Sequence, residues 1–60
     1  MTAYQNMEIQ RIQRGIPDKT VIKRTLDMVG LNDTGKKRVR NFSLGMRQRL
    51  GIAMALLNTP

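Results

Sequence analysis

The sequence predicts an all-α fold, a small three-helix bundle. Apolar residues recur at helical spacing, capping residues precede three separate segments, and no segment alternates polar and apolar residues as a half-buried strand does. A chain of 60 residues forms one small domain, which buries roughly 60% of the surface that it exposes when unfolded. We therefore expect a single domain over residues 1–60 with modest stability.

The first helix is expected over about residues 2–14. Thr2 and Gln5, three residues apart, have the form of a capping box, in which each side chain accepts a hydrogen bond from the other residue's backbone amide. The helix is expected to end before Gly15, Ile16 and Pro17. Glycine is unfavourable in a helix, and the residue before a proline is pushed away from helical angles. The apolar stripe expected to face the core comprises Ile9, Ile12 and Ile16.

The second helix is expected over about residues 18–29. Pro17 supplies a preset backbone angle at its start, and the Asp18 carboxylate suits the positive end of the helix. Gly30 followed by Leu31 predicts a left-handed C-cap, with the leucine folding back on the helix. The apolar face expected from the spacing comprises Val21, Ile22, Leu26, Met28 and Val29.

The third helix is expected over about residues 43–58, with Ser43 as its N-cap. The basic run "KKRVR" that precedes it is expected in a connector with a short helical turn. From Leu50 to Leu57 the helix is apolar on all sides, which is typical of a helix buried all round. Two modest neighbours cannot cover it, so either a second copy or a covalent neighbour outside this chain is expected to do so.

Composition excludes several function classes. The chain has no cysteine and no histidine, so it forms no disulfide and offers no zinc ligand set of the usual kinds. Its four acidic residues are scattered, which leaves no catalytic carboxylate pair and no metal site. The net charge of +7 would attract nucleic acid, acidic proteins or an anionic membrane. No signal peptide or membrane span is evident, and a cytoplasmic location is expected.

The stretch "NFSLGMRQR" at residues 41–49 resembles the signature motif of ABC-type ATPases, usually written LSGGQ and followed by a variable residue, Gln and Arg. Gln48 and Arg49 match the trailing pair. The motif is a variant, with Leu44 in place of the first glycine and Met46 in place of the glutamine. The five signature positions are filled by Phe42, Ser43, Leu44, Gly45 and Met46.

The resemblance extends over nearly the whole chain. "TAYQNMEI" looks like the helix start after the Q-loop of that family, and "LDMVGLNDTGKKRVRNFS" resembles its connecting region. The "SLGM" form with "QRLGIA" and "ALL" looks like the ATP-binding subunits of bacterial exporters of the bacitracin and lantibiotic-resistance type. The glycine-rich phosphate loop (Walker A) and the acidic strand end (Walker B) are absent. The resemblance therefore implies a helical signature subdomain excised from a P-loop α/β ATPase.

The resemblance also implies a function. Ser43, Leu44, Gly45 and Met46 would contact ATP bound to the opposite subunit of a head-to-tail dimer, with Ser43 and the Gly45 amide on the γ-phosphate. Phe42, Gln48 and Arg49 would have structural roles. The parent would hydrolyse ATP with Mg²⁺ to drive export through a membrane-spanning permease, at the inner face of the plasma membrane. The chain alone is expected neither to hydrolyse ATP nor to bind it tightly.

Two alternatives remain at this stage. A basic helical module could bind nucleic acid through residues 36–49, although Tyr4 and Phe42 are the only aromatic residues, too few for a base-stacking surface. The parent could also be a non-transport ABC ATPase. For the isolated chain, we expect self-association through residues 50–57, because that segment is apolar on all sides.

Overall fold

The computed structural model describes residues 1–57 and confirms the all-α prediction. Within these residues there is no β-strand, and Thr2 and Arg38 form only an isolated antiparallel bridge. Position 58, the predicted end of the third helix, lies outside the described residues. The elements in chain order are α1 (Ala3–Gln13), α2 (Thr20–Met28), a 3₁₀ turn (Val39–Asn41) and α3 (Leu44–Leu57).

The start of α1 is the capping box that the Thr2–Gln5 spacing predicts. The Gln5 amide donates to Thr2 Oγ1 at 3.2 Å, and the Thr2 amide donates to Gln5 Oε1 at 2.9 Å. Both backbone donors would otherwise lack a partner at the helix start. The sequence therefore sets the first residue of α1 through local hydrogen bonds alone.

The predicted apolar stripe of α1 is wrong. Ile9 and Ile12 are 42% and 62% exposed, and only Ile16, beyond the helix, packs against the core. The residues that α1 buries are spaced four apart and lie on the opposite side: Ala3, Met7 and Arg11.

Burial of Arg11 explains the error. Its guanidinium forms an ion pair with Glu8, and its Nη1 donates to the Ile16 carbonyl at 2.7 Å. A buried charge is tolerated when it is paired and hydrogen-bonded, and the aliphatic stem of arginine packs like an apolar side chain. The helix therefore turns a charged residue inward and leaves two isoleucines outside.

The end of α2 is a Schellman motif. Gly30 has a φ of +75°, its amide donates to the Asp27 carbonyl at 3.2 Å, and the Leu31 amide donates to the Leu26 carbonyl at 2.9 Å. This pairing satisfies carbonyls at the helix end. Leu31 folds back and is buried, as predicted, whereas Met28 is 67% exposed and does not belong to the apolar face.

The core lies where the three helices meet. Arg14 Nη1 donates to the Met54 carbonyl at 2.5 Å and joins the end of α1 to α3. The connector before α3 is tied to the start of the chain, because the Val39 amide donates to the Met1 carbonyl at 2.7 Å. The buried apolar residues are Ala3, Met7, Ile22, Leu26, Leu31, Phe42, Leu50, Ala53 and Leu57.

Only one side of α3 is covered. Leu50, Ala53 and Leu57 are buried, whereas Ile52 is 54% exposed. The exposed residues on the opposite side carry no charge, and we call them the outer face of α3: Leu44, Gln48, Gly51, Ile52 and Ala55. Helices α1 and α2 thus cover about half of α3, in line with the expectation from its composition.

Candidate functional site

The start of α3 is fixed by Ser43. The Met46 amide donates to Ser43 Oγ at 3.2 Å, and the Arg47 amide donates to the Ser43 carbonyl at 3.0 Å. Serine is among the preferred N-cap residues because its short side chain can accept such a bond. Ser43 is exposed, so its hydroxyl caps the helix and faces solvent at the same time.

Two backbone amides at this end have no acceptor within residues 1–57, those of Leu44 and Gly45. Gly45 leaves the approach open, because apart from its chain neighbours and the backbone of α3 the nearest atom to a Cβ placed there would be Ser43 Oγ at 4.0 Å. Unpaired N–H groups at the positive end of a helix attract anions. The geometry therefore suits a phosphate or carboxylate oxygen approaching Gly45.

The signature residues divide into an inward and an outward set. Phe42 is buried in the core, and Met46 is half-buried and packs against it. Leu44 is 74% exposed, the highest value among the large apolar residues that the structure leaves exposed. Ser43, Leu44 and Gly45 therefore present the surface, while Phe42 and Met46 anchor it to the bundle.

Gln48 and Arg49 are exposed on α3. Within the described residues neither side chain makes a hydrogen bond or an ion pair. The residue between Met46 and Gln48 has a clearer role, because Arg47 Nη2 donates to the Arg40 carbonyl at 3.0 Å. Sequence reasoning missed this contact, because nothing in the spacing identifies a backbone acceptor seven residues earlier.

Residues 41–49, which carry the site, include no acidic residue, histidine or cysteine. The titratable group with a clear pKa shift, Asp18, lies at the start of α2. A hydrogen bond from the Thr20 hydroxyl, another from the Thr20 amide and the charge of Arg24 lower the pKa of Asp18. No cluster of three potential metal-ligating side chains occurs within residues 1–57. The start of α3 thus combines the Ser43 hydroxyl with two amides that have no acceptor within residues 1–57, an arrangement that suits an anion.

Several surface depressions lie away from the start of α3, around Tyr4 on α1. Three open depressions of about 490, 230 and 420 Å³ share this residue. Tyr4 is 46% exposed, and Met1 and Ile9 beside it are also exposed. Lys19 and Lys23 line the largest depression and form no ion pair within the described residues. This second surface suits contact with a protein segment more than enclosure of a small ligand, because it is open.

Comparison with known proteins gives consistent results. The family model described as ABC transporter matches residues 1–60. The chain is 43% identical over 60 residues to the lantibiotic transport ATP-binding protein SrtF of Streptococcus pyogenes, covering 100% of this chain and 26% of that protein. It is 50% identical over 60 residues to the bacitracin transport ATP-binding protein BcrA of Bacillus licheniformis, covering 100% of this chain and 20% of that protein.

An uncharacterized ABC transporter ATP-binding protein of Thermotoga maritima is 40% identical over 63 residues, covering all of this chain and 27% of that protein. The chain thus spans only 20% to 27% of the length of these relatives. No solved structure matches it. Among the helices of residues 1–57, none has the length and apolar character needed to cross a membrane.

These matches confirm the resemblance to ATP-binding subunits of the bacitracin and lantibiotic type. They extend from the first to the last residue, so they include the α1–α2 region as well as the signature stretch. A similarity of this extent shows that the chain belongs to the ABC transporter family.

Proposed function

We propose that the start of α3 contacts the γ-phosphate of ATP held by a second ATP-binding subunit. The observation that carries this proposal is the exposed Ser43 cap beside the unpaired amides of Leu44 and Gly45. Ser43 Oγ and the Gly45 amide are the groups expected to contact the phosphate, with Leu44 beside them. Met46 packs against the core, so its part is to hold the helix start in place.

In this proposal the whole protein is an ATPase of a transporter. ATP and Mg²⁺ would be bound by segments outside the present chain, and hydrolysis would drive export through a membrane-spanning permease at the cytoplasmic face of the plasma membrane. Two relatives that match over the full chain are named as transport ATP-binding proteins. Those names favour a transporter over a non-transport ABC ATPase.

The test replaces the matched segment of BcrA with this chain and measures ATP hydrolysis by the resulting chimera. Ser43→Asp is the informative variant, because aspartate caps a helix as well as serine does and suits its positive end. Its carboxylate would repel the γ-phosphate, and like charges in contact cost several kcal/mol. We expect ATPase activity to fall by about a hundredfold or more while helix content stays unchanged.

Asn32→Asp is the matched control, since it adds the same charge in the exposed loop after α2. It should leave hydrolysis within about twofold of the unsubstituted chimera, because exposed charges separated by more than about 8–10 Å are largely screened. If Ser43→Asp hydrolyses ATP as fast as Asn32→Asp, the phosphate contact is refuted.

The isolated chain offers only half of this composite site. One helix end supplies two unpaired amides, and no segment is present to hold the rest of the nucleotide. We expect no tight binding when Mg²⁺–ATP is titrated into the chain in a calorimeter. Magnesium-dependent binding in the micromolar range would contradict this expectation.

We propose the depressions around Tyr4 as the contact surface for the permease. Their exposed apolar residues and the two unpaired lysines suit a segment that carries apolar and acidic side chains. In the chimera, Tyr4→Ala with Lys23→Glu should abolish bacitracin resistance of cells while ATP hydrolysis by the purified subunit persists. Unchanged resistance would place the permease contact elsewhere.

We also propose that the isolated chain self-associates through the outer face of α3. Residues 50–57 contribute Gly51, Ile52 and Ala55 to this face, which is uncharged and exposed. Covering exposed apolar surface stabilises association by about 25 cal/mol per Å². Sedimentation should show concentration-dependent association that Ile52→Glu removes. A monomer at all concentrations would refute the proposal.

A further inference from the structure

The two parts of the chain differ strongly in charge. Residues 1–33 carry five basic and four acidic side chains, whereas residues 34–57 carry six basic side chains and no acidic one. Both ion pairs of the described residues, Glu8–Arg11 and Asp18–Arg24, lie in the first part. The excess positive charge of the protein is therefore concentrated in the connector and the first half of α3.

Five of these basic side chains form what we call the basic patch. Four follow one another along the connector, and Arg47 joins them through its hydrogen bond to the Arg40 carbonyl at 3.0 Å. All five are exposed, and none has an acidic partner within residues 1–57. The members of the basic patch are Lys36, Lys37, Arg38, Arg40 and Arg47.

The connector that carries the basic patch is held in place. The Val39 amide donates to the Met1 carbonyl, and Arg38 forms a backbone bridge with Thr2. Phe42, which follows the 3₁₀ turn, is buried in the core. Arg38 and Arg40 are therefore presented by a backbone that is anchored at Val39 and Phe42, so little backbone ordering would be needed for these two residues to bind a partner.

An exposed leucine lies beside the basic patch. Leu44 is 74% exposed and is one turn before Arg47 on α3. No aromatic side chain is available there for stacking on bases, because Phe42 is buried and Tyr4 lies among the depressions of α1. Basic clusters beside an exposed apolar side chain are typical of surfaces that bind anionic bilayers. The combination favours a lipid surface over nucleic acid.

We propose that the basic patch binds acidic phospholipid headgroups of a membrane surface, with Leu44 entering the interface. This contact goes beyond the proposed ATP contact and needs no nucleotide. Leu44 belongs to both surfaces, so the membrane contact is expected when the start of α3 is not engaged by a second subunit. It would orient the chain against the bilayer before ATP brings two subunits together.

The test measures binding of the 60-residue chain to vesicles of phosphatidylglycerol and phosphatidylcholine by cosedimentation at about 150 mM salt. Lys36→Gln, Lys37→Gln and Arg38→Gln are combined in one variant. The matched control combines Lys19→Gln, Lys23→Gln and Arg24→Gln, which remove the same charge from exposed positions around α2. Circular dichroism establishes that both variants remain helical.

We expect the patch variant to bind at least about tenfold more weakly, since each basic residue near an anionic surface contributes severalfold to binding. The control should lose less than about threefold, and vesicles of phosphatidylcholine alone should not bind. Equal losses in the two variants would show attraction by net charge alone and overturn the proposal. Binding of duplex DNA at the same salt without vesicle binding would also overturn it, in favour of a nucleic-acid surface.

Leu44→Gln tests the apolar part of the contact. Removing the leucine from the interface should weaken vesicle binding by about fivefold, because a buried apolar side chain favours transfer from water. If this variant binds vesicles as tightly as the unsubstituted chain, Leu44 does not enter the interface. Because no ATP is present, either failure leaves the proposed ATP contact untouched.

Discussion

The N-terminal half of the chain, residues 1–33, and the C-terminal half, residues 34–57, are stabilised in different ways. The N-terminal half contains the capping box, the Schellman motif and both ion pairs. The C-terminal half packs its inner side on the bundle and leaves its charges and the outer face of α3 in solvent. The difference indicates that the first half relies on local caps and ion pairs, whereas the second half contributes to the core from one side and leaves an uncharged face of α3 uncovered.

The strongest test of this comparison uses one substitution in both halves. Ile22→Ala in α2 removes a fully buried side chain, whereas Ile52→Ala in α3 removes one that is 54% exposed. The first should lower the free energy of unfolding by about 2–5 kcal/mol. The second should change it by less than about 0.5 kcal/mol at concentrations where the chain is monomeric. Urea unfolding measures both, and a comparable loss for the two variants would contradict the division.

Glycine substitutions should have opposite signs in the two halves. Gly30→Ala forces alanine into a left-handed conformation with a φ of +75°, which should cost about 1–2 kcal/mol. Gly51→Ala lies within α3, where nothing stands within 4 Å of an added Cβ, and should stabilise the chain by about 0.5–1 kcal/mol. Thermal unfolding distinguishes the two. Destabilisation by Gly51→Ala at concentrations where the chain is monomeric would contradict the open space beside Gly51.

The two serine and threonine caps provide a smaller comparison. Thr2→Ala and Ser43→Ala each remove a hydroxyl that accepts a hydrogen bond from a backbone amide. Each should cost about 1 kcal/mol of unfolding free energy. If the only role of Ser43 were to cap α3, Ser43→Ala would lower stability, as Thr2→Ala does, and would leave ATP hydrolysis unchanged. We expect Ser43→Ala in the BcrA chimera also to reduce ATP hydrolysis, whereas Thr2→Ala should leave hydrolysis near the unsubstituted rate.

The smallest expected effect is a pH dependence confined to the N-terminal half. Folding lowers the pKa of Asp18, mainly through hydrogen bonds from Thr20 and then through Arg24. A carboxylate with a lowered pKa stabilises the folded state above its unfolded pKa, and this stability is lost as pH falls through the folded value. The melting temperature should therefore fall in acid, and less so for Asp18→Asn. The C-terminal half has no acidic residue to contribute.

Much of the fold could be predicted from the sequence because the decisive interactions are local. The Thr2–Gln5 box, the Gly30–Leu31 cap and the Ser43 cap each involve residues a few positions apart. The buried face of α1 could not be predicted, because it includes a charged residue. Arg11 can be buried since it forms an ion pair with Glu8 and donates a hydrogen bond to the Ile16 carbonyl.

For the candidate site, too, the sequence predicts which residues are involved but not how their side chains are buried or bonded. The signature pattern proposes Ser43 and Gly45 as site residues from sequence alone, which stays a prediction. It did not show that Met46 turns toward the core while Leu44 stays in solvent. Nor did it reveal the hydrogen bond from Arg47 to the Arg40 carbonyl. Every residue has a backbone carbonyl, so the residue type does not indicate which carbonyl accepts.

A contact between the start of α3 and the phosphate should make association of the BcrA chimera depend on ATP, which sedimentation with and without Mg²⁺–ATP measures. We predict that ATP promotes association of the unsubstituted chimera and that Ser43→Asp weakens this association by at least about tenfold. Asn32→Asp should not change it. Equal ATP-dependent association of the Ser43→Asp and unsubstituted chimeras would contradict the claim that the start of α3 contacts the phosphate.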